Sequence, residues 1–461
     1  MKVKKDFYLF SLIVLIIIGF ILRFYKLNIQ SLWIDEGFSI NAAVQTLKYG
    51  YPLLESGFVY SGSLLNTYFI AFFIKLFKDL IFASRLVSVI FGILSIIITF
   101  YFGKEIYNKK IGIIAALFVT FSTIEIAWSR QARMYTQLQF FFLLSLYLFY
   151  KFINNKSLKY FILALIFTIA TILSNVLGLS LLLIYFIYFI LNFKDFKFLF
   201  TKRFLISIFI FLIPIGYLII KNFWNYNYIY INYFLKYIYF LRFSHEILFY
   251  FSLVGILVSL REFKKSSFLF ISFIIPILVI SFFVLLMHYR YLFFIIPILF
   301  IFAAYLINFI SDYFKKFSFI MMIILTGIVL INGFTFIPTN YYELEALTPQ
   351  PNFKEAYLFI QENLNGEIII DAYPVLSEIY LGKVDYGLKF SLTGRDIDIY
   401  NESFDVYTNK PFIKLYELSK INSCYLIIDD LAMERIDGDL RDYIKNMNVV
   451  KDLKNVKVFE C

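Results

Sequence analysis

The chain has 461 residues, of which 61% are hydrophobic, and its mean hydropathy is +0.78. Soluble globular domains are roughly 45–50% apolar, so this composition excludes an ordinary soluble protein. Residues 1–337 carry a net charge of +19 and residues 338–461 a net charge of −8. The basic excess is expected to follow the positive-inside rule of membrane proteins, and we predict no nucleic-acid partner.

Apolar segments long enough to cross a bilayer as helices recur along residues 1–337. The first, Phe7 to Phe24, follows three lysines and lacks a small-residue cleavage pattern, which predicts an uncleaved span. Short basic clusters at span ends are expected in the cytoplasm. These clusters lie at residues 2–5, 104–110, 151–159, 194–203, 261–265 and 315–316. The pattern predicts a polytopic α-helical membrane protein with about eleven spans, its N-terminus cytoplasmic and its C-terminus outside.

The first large outer loop, residues 26–83, contains the motif "QSLWIDEGFS" with the adjacent acids Asp35 and Glu36. The sequence from Asp35 onward has the pattern of an amphipathic helix, and acids in a first helical turn are favourable by themselves. One interpretation of Asp35 and Glu36 is therefore that they form the solvent-exposed first turn of a helix. The 14-residue apolar stretch from Leu64 to Phe77 is short for a span. The first span leads out of the cytoplasm and the span at 84–103 leads back in, so the stretch between them cannot cross and is predicted to be an interfacial helix.

Residues 338–461 change to an acidic, less apolar composition. Alternating patterns predict helices at 352–364 and 410–420 and strands at 367–371, 424–430 and 455–460, so we expect a small extracytoplasmic α/β domain. The predicted domains are thus residues 1–337 in the membrane and 338–461 outside. Cys424 and Cys461 both lie in this tail, but their spacing leaves open whether they pair.

Several basic residues lie on the predicted outer side, where the positive-inside rule disfavours them. They are Arg85, Arg130, Arg133, His288 and Arg290. Snorkelling side chains or pairing with loop acids would account for them structurally. The functional alternative is a group of guanidinium forks around an anion, and a lipid-linked phosphate fits because it lies at the interface. Adjacent carboxylates then suggest transfer from a phosphate leaving group, with an acid placed to take a proton.

The order of "LWIDEGFSI", "SRQARMYTQLQFF" and "RYLFFIIPIL" after a first span resembles GT-C-type membrane glycosyltransferases. The resemblance is strongest to prokaryotic members of the protein O-mannosyltransferase and aminoarabinose-transferase superfamily that have a C-terminal extracytoplasmic domain. It covers residues 7–337 and implies transfer of a sugar from a polyprenyl (dolichyl or undecaprenyl) phosphate to a hydroxyl outside the cytoplasm, with inversion. The acceptor is a protein, lipid or glycan, and the location is the plasma membrane.

The resemblance also implies roles for individual residues. Asp35 matches the catalytic base, and Glu36 would orient the acceptor or shape the loop. The donor phosphate would be held by Arg130, Arg133 and Arg290, with His288 and Arg85 as further candidates. Further substrate contacts are assigned to Tyr135, Tyr291, Asn175 and Glu55. A lipid monophosphate leaves with its charge already in place, so we expect no obligatory metal or other cofactor, although oligosaccharyltransferases of this architecture use a divalent metal.

Two departures from the family pattern concern the substrate. "YSGSLLN" stands where many relatives have a proline-containing element, and Asn175 stands where many have a histidine. The aromatic segment at 221–234 suits either sugar stacking or an ordinary membrane-interface belt.

Other function classes were a transporter or flippase of lipid-linked glycans and a ligase or polymerase. Charged residues clustered at one face, without an internal repeat, argue against a transporter. The Asp-Glu pair directly after the first span is less well explained by a ligase.

Overall fold

The computed structural model describes residues 3–193, 201, 206–208, 210–211, 213–214, 216–217, 232–284, 287–338, 352–390, 403–405, 407–453 and 455–461. The chain forms two compact units. The helical unit comprises Met1–Tyr25 and Ser88–Tyr341, and the α/β unit comprises Lys26–Val87 and Tyr342–Cys461. The first outer loop therefore folds together with the tail, while the predicted boundary after residue 337 stays a prediction.

The helical unit is built from long apolar helices joined by short turns. Its helices are α1 (Val3–Phe24), α4 (Leu80–Ile106, from Ser88 onward), α5 (Lys109–Phe121), α6 (Thr123–Trp128), α7 (Tyr135–Asn155), α8 (Leu158–Ser174), α9 (Ser180–Leu191), α10 (Phe234–Ser244), α11 (Glu246–Ser259), α12 (Phe263–Phe283), α13 (Ile296–Tyr313) and α14 (Ser318–Val329). Short 3₁₀ segments lie at Val176–Leu179, Leu260–Glu262, Tyr289–Ile295 and Lys315–Phe317.

Five helical segments in the described part of the chain are long and apolar enough to cross a membrane. They are Phe7–Phe24, Leu80–Ile106, Tyr135–Asn155, Glu246–Phe283 and Tyr289–Tyr313. The protein is thus a multi-pass α-helical membrane protein, as the composition predicts. The count of eleven spans stays a prediction. The apolar segment at 204–220, which the sequence predicts as one of these spans, lies partly outside the described residues.

Small residues allow close helix contacts in the helical unit. A Cβ atom at Gly255 of α11 would lie only 2.2 Å from the carbonyl oxygen of Phe302 on α13. Without a hydrophobic driving force inside the bilayer, such close backbone approach is a main source of helix association. Glycine at this position therefore lets α11 and α13 pack tightly.

The α/β unit contains a five-stranded sheet, and both of its chain segments, the first outer loop and the tail, contribute helices. Its helices are α2 (Ile34–Tyr49), α3 (Leu64–Phe77), the start of α4, α15 (Phe353–Asn363), α16 (Pro374–Tyr380), α17 (Leu415–Leu418), α18 (Asp430–Arg435) and α19 (Gly438–Lys445). The strands are β1 (Ile368–Asp371), β2 (Tyr386–Gly387), β3 (Cys424–Asp429), β4 (Asn448–Leu453) and β5 (Val456–Glu460). Their order is β2-β1-β3-β5-β4, with β1 parallel to both β2 and β3.

Most tail elements predicted from the sequence are present, and the small C-terminal α/β domain is confirmed as a fold. The predicted helix at 410–420 is an exception, because only the single turn α17 is helical there. Phe412, within the predicted helix, instead forms a parallel bridge with Gly387 at the end of β2. Pairing with the sheet thus overrides the local helical pattern.

Cys424 and Cys461 form a disulfide that joins the start of β3 to the chain end after β5. Replacement of Cys461 by Ser is expected to lower the free energy of unfolding of the α/β unit by about 2–4 kcal/mol, because the bond closes a long chain loop. Denaturant unfolding of the purified protein measures this loss. Reduced wild type should match the variant, and a variant as stable as the oxidised wild type would contradict the prediction.

Candidate functional site

The acidic motif of the first outer loop forms the first turn of α2 in the α/β unit. Ile34 begins the helix, so Asp35 and Glu36 lie where the helix dipole favours negative charge. The backbone N–H of Trp33 donates to Oε2 of Glu36 at 3.1 Å, which satisfies a donor at the helix start. The predicted helix is therefore present, and Glu36 contributes to its cap.

Glu36 also forms a fully buried ion pair with Arg85. Nε and Nη2 of Arg85 each lie 2.9 Å from one carboxylate oxygen, which is a bidentate arrangement. The remaining Arg85 donors bind backbone carbonyls at 2.8–3.0 Å, those of Leu27, Gln30 and Ser31. The pair thus fixes the chain that leads into α2.

These contacts give Arg85 an observed structural role, and its predicted role at the donor phosphate stays a prediction. A guanidinium group has five N–H donors, and Arg85 directs all five at Glu36 and the loop carbonyls. Arg85 is fully buried, and its observed contacts position Glu36 and the loop carbonyls. The sequence analysis also allowed an outer arginine to pair with an acid of the loop, and Arg85 forms such a pair with Glu36.

Asp35 differs from Glu36 because it is a partly exposed residue, whereas Glu36 is fully buried. Tyr407 lies near it: burial raises the pKa of the Tyr407 hydroxyl, and the charges of Asp405 and then Asp35 raise it further. The backbone carbonyl of Asp35 accepts a hydrogen bond from Ser39, one turn along α2. The two adjacent acids therefore have unequal surroundings, and Asp35 is the one at the surface.

Glu55, a predicted substrate contact, lies beside the same helix. Its backbone N–H donates to Oδ1 of Asn41 on α2 at 3.0 Å. Burial raises the pKa of the Glu55 carboxyl, nearby Glu378 raises it further, and Lys410 lowers it. Its role at a substrate stays a prediction.

In the helical unit, Arg130 and Arg133 lie in the turn between α6 and α7. Nη1 of Arg130 donates to the carbonyl oxygens of Arg23 and Tyr25 at 3.0 and 2.7 Å, which ties this turn to the end of α1. The carbonyl of Arg133 accepts from Ser88 at 3.0 Å. Both arginines are more than nine-tenths buried, so snorkelling into solvent does not explain them.

Aromatic rings surround this turn. The Arg133 guanidinium lies 5.9 Å from the ring centre of Tyr135, and Tyr135 packs edge-on against Trp128 at 4.6 Å. Cation–π contacts of this kind favour arginine over lysine. Tyr135 is buried and packs against Arg133 and Trp128, and its predicted contact with substrate stays a prediction.

Arg290, His288 and Tyr291 lie together around the start of the 3₁₀ segment Tyr289–Ile295. The Tyr291 ring is 5.4 Å from the His288 ring and 6.0 Å from the Arg290 guanidinium. This segment packs against the residues that follow Arg133. Nε2 of Gln139 donates to the carbonyl of Phe293 at 3.0 Å, and Trp128 contacts the Phe293 ring.

Asn175 lies elsewhere in the helical unit and caps the 3₁₀ segment Val176–Leu179. Its Oδ1 accepts from the backbone N–H of Leu177 at 3.0 Å. This contact gives Asn175 a structural role, and its predicted contact with substrate stays a prediction.

Sequence reasoning missed two features of the arginine turn. Arg23 is buried in α1 and donates to the carbonyls of Val119 and Thr120 and to the Ser129 hydroxyl. Gln131 and Gln137 are fully buried, and within the described residues neither amide has a hydrogen-bond partner. Buried polar groups are nearly always bonded, so these amides are available to a bound ligand or water. The sequence signal that could have indicated these residues is the presence of glutamines among apolar residues at the start of a span.

Residues 61–220 match the model of the family described as dolichyl-phosphate-mannose-protein mannosyltransferase. The whole structure is similar to ArnT from Cupriavidus metallidurans in the apo state, with a TM-score of 0.66 and 10% identity over 99% of this chain and 98% of ArnT. The protein has the GT-C fold. The resemblance to GT-C-type membrane glycosyltransferases predicted from the sequence is thereby confirmed at the level of the fold.

Two further GT-C structures are similar and contain lipid phosphates. ArnT bound to undecaprenyl phosphate has a TM-score of 0.63 and 10% identity over 99% of this chain and 98% of that one. AglB of Archaeoglobus fulgidus, an oligosaccharyltransferase in complex with an inhibitory peptide and a dolichol-phosphate, has a TM-score of 0.55 and 12% identity over 92% and 70%. A search of curated protein sequences finds no significant match.

Proposed function

We propose that the protein is a glycosyltransferase that moves a sugar from a polyprenyl-phosphate donor to an acceptor hydroxyl, with inversion and with Asp35 as the base. The reaction takes place on the outer face of the plasma membrane, with the N-terminus cytoplasmic and the α/β unit outside. The GT-C fold, the family match over residues 61–220 and the lipid phosphates bound by ArnT and AglB support this function. A disulfide in the α/β unit suits an oxidising compartment outside the cytoplasm.

The observation that carries the proposal is the difference between the two acids of the first outer loop. Arg85 neutralises Glu36 and holds it in the cap of α2, while Asp35 is a partly exposed residue in the same turn. A base must be reachable by the acceptor hydroxyl, which excludes Glu36 and leaves Asp35. Glu36 then acts by shaping the loop, one of the two roles that the resemblance implies for it.

In the proposed reaction, the acceptor oxygen attacks the anomeric carbon as the bond from that carbon to the phosphate oxygen breaks. Asp35 takes the proton of the acceptor hydroxyl, and the lipid monophosphate leaves with the bonding electron pair. Attack from the face opposite the phosphate inverts the anomeric centre. The products are a glycosylated acceptor, a polyprenyl phosphate and a protonated Asp35 that returns its proton to solvent.

Arg130, Arg133 and Arg290 are proposed to bind the donor phosphate. Charge-assisted hydrogen bonds from guanidinium groups suit phosphate oxygens, and low solvent exposure strengthens them. The amides of Gln131 and Gln137, which have no hydrogen-bond partner within the described part of the chain, are proposed as further donors from the segment that carries Arg130 and Arg133. Within the described residues, no group of three or more His, Cys, Asp and Glu side chains has the arrangement of a metal site. Independence of a metal stays a prediction.

The test is to supply purified protein in lipid nanodiscs with labelled polyprenyl-phosphate sugars and with peptide, glycan and lipid acceptors. We expect one donor to be consumed, with release of polyprenyl phosphate and appearance of label on one acceptor class. Movement of intact donor across a proteoliposome membrane without cleavage would instead indicate a flippase and would overturn the proposal.

Replacement of Arg290 by Ala is expected to weaken donor binding by about 10–100-fold, because a hydrogen bond to a charged group contributes about 1.5–3 kcal/mol. Donor and acceptor titrations should show a raised KM for the donor and an unchanged KM for the acceptor. The matched control is Arg242→Ala, since Arg242 is exposed in the same unit and pairs with Glu246. Equal donor affinity in both variants would remove Arg290 from the phosphate site.

A further inference from the structure

A pocket in the α/β unit lies where the parallel strands β1 and β2 end. Its lining includes residues that directly follow β1, from Ala372 to Val375, and Leu388 and Phe390 after β2. In open α/β sheets, ligands bind in the crevice outside the carboxyl ends of the strands. The position of this pocket within the sheet is therefore the one that ligands use in this class of domain.

The opposite wall of the pocket is helix α2, which carries the proposed base. Ile34 and Phe38 line the pocket and flank Asp35 along the chain. The Phe38 ring lies 4.5 Å from the ring of Tyr407, which also lines the pocket and is within electrostatic reach of Asp35. A ligand group in this pocket thus lies next to the carboxylate that takes the acceptor proton in the proposed reaction.

Close packing holds the two walls together. A Cβ atom at Gly37 would lie 3.0 Å from Leu376 and 3.2 Å from Val375, so any larger residue would press on α16. This contact gives the glycine of the Asp-Glu-Gly motif a role. It lets the helix of the first outer loop approach the residues that follow β1.

The lining is mostly apolar, and two of its polar side chains have partners in the α/β unit. Asp405 accepts hydrogen bonds from the backbone N–H and the hydroxyl of Thr408, and the Tyr373 hydroxyl donates to Asp429. The other lining residues are Ile, Phe, Ala, Pro, Val, Leu and Tyr. A sugar ring would bury several hydroxyls against this mostly apolar lining, which is unfavourable for each hydroxyl that lacks a partner, whereas an apolar group needs none.

The size of the pocket limits what it can hold. The enclosed space is about 40 Å³, and the pocket is partly open to solvent. An apolar side chain would enter the enclosed space in part and cover the rest of the pocket from its open side, whereas a lipid acyl chain needs a long channel. A backbone strand entering along the open side would bring neighbouring residues past Asp35, because an extended chain advances about 3.3–3.6 Å per residue.

We propose that this pocket binds one apolar side chain of a polypeptide acceptor, roughly one to three residues from the serine or threonine that receives the sugar. The proposal rests on the proposed function and names its acceptor class as protein. Aromatic and aliphatic walls select leucine- or phenylalanine-like side chains, and helix α2 holds Asp35 beside the hydroxyl of the same peptide.

The test measures binding without a donor, so that it does not depend on catalysis. Fluorescent peptides, each with one threonine and one neighbouring position varied as Leu, Phe, Ala or Asn, are titrated onto the full-length protein in nanodiscs. We expect Leu and Phe peptides to bind at least about tenfold more tightly than the Asn peptide, because only they bury an apolar side chain. Equal affinities for Leu and Asn peptides would overturn the proposal.

Two variants change the size of the pocket in opposite directions. Ala372→Leu should fill it and weaken binding of the Leu peptide about tenfold, while Leu388→Ala should enlarge it and shift the preference towards Phe. The control Leu358→Ala removes the same atoms from an exposed site on α15 and should leave the ranking unchanged. An unchanged ranking in Leu388→Ala would contradict the proposal.

Failure of the proposal and failure of the proposed function give different results. Sugar transfer to a lipid or glycan, with no ranked peptide binding, would overturn the peptide pocket and leave the glycosyltransferase standing. Ranked peptide binding without consumption of any donor would support the pocket and remove the proposed reaction.

Discussion

Replacement of Asp35 by Asn is expected to lower the rate of sugar transfer by about 10²–10⁴-fold, the range that a positioned general base contributes. Asn has nearly the size of Asp and preserves the first turn of α2, but it cannot accept the proton of the attacking hydroxyl. Donor binding should be unchanged, because Asp35 has no proposed role at the phosphate. Initial rates and donor affinity, measured on the same nanodisc preparation, separate the two effects.

The matched control for this substitution is Asp79→Asn. Asp79 is a second acid of the outer loop, and its carboxylate caps the start of α4 by accepting from the backbone N–H of Phe82. Asn caps helices about as well as Asp, so this variant should transfer sugar at nearly the wild-type rate. Folded Asp35→Asn protein that transfers sugar as fast as Asp79→Asn would eliminate Asp35 as the base.

The sequence predicted the elements of the first outer loop well. The apolar run at 64–77 is a helix with those bounds, and the helix expected from the acidic motif begins at Ile34. Both predictions rest on local patterns, apolar spacing in one case and acids at a helix start in the other. Local physics decides these elements, so the sequence contains the information needed to find them.

Partners distant in the chain could not be predicted in the same way. Arg85 was assigned to the donor phosphate because an arginine at an outer span end needs an anion, but its anion is Glu36, 49 residues away. The same limit applies to the pairing of Cys424 with Cys461 and to the helix expected at 410–420, where contact with β2 decides the structure. Charge shows that a residue needs a partner without showing which one it has.

The grouping of residues 26–87 with the tail is a further long-range feature. α2 packs against α16 through Gly37, although more than 300 residues separate them. Hydropathy separates membrane-spanning from water-exposed parts of the chain. It therefore assigned residues 26–87 to the membrane domain, because they follow the first span, and the acidic tail to a separate domain. The apolar pocket between α2 and the strand ends depends on this contact, so no sequence pattern indicated it.

Replacement of Arg85 by Met is expected to destabilise the α/β unit by about 3–5 kcal/mol, the range found when one partner of a buried ion pair is removed. Met fills a similar volume, but it leaves the Glu36 carboxylate buried without a counter-charge and three loop carbonyls without their donor. Denaturant unfolding of the purified protein measures the change. The control is Arg242→Met, which breaks an exposed pair and should cost about 0–1 kcal/mol.

The double variant Arg85→Met with Glu36→Gln separates the buried charge from the lost hydrogen bonds. Removing both charges should recover part of the stability, and the coupling between the two sites gives the strength of the ion pair. The two roles considered for Arg85 predict different measurements. A phosphate ligand would lose donor affinity in Arg85→Met at nearly wild-type stability, whereas the positioning role predicts a large loss of stability, partly reversed by Glu36→Gln. Stability equal to that of Arg242→Met, together with weakened donor binding, would restore Arg85 to the phosphate site.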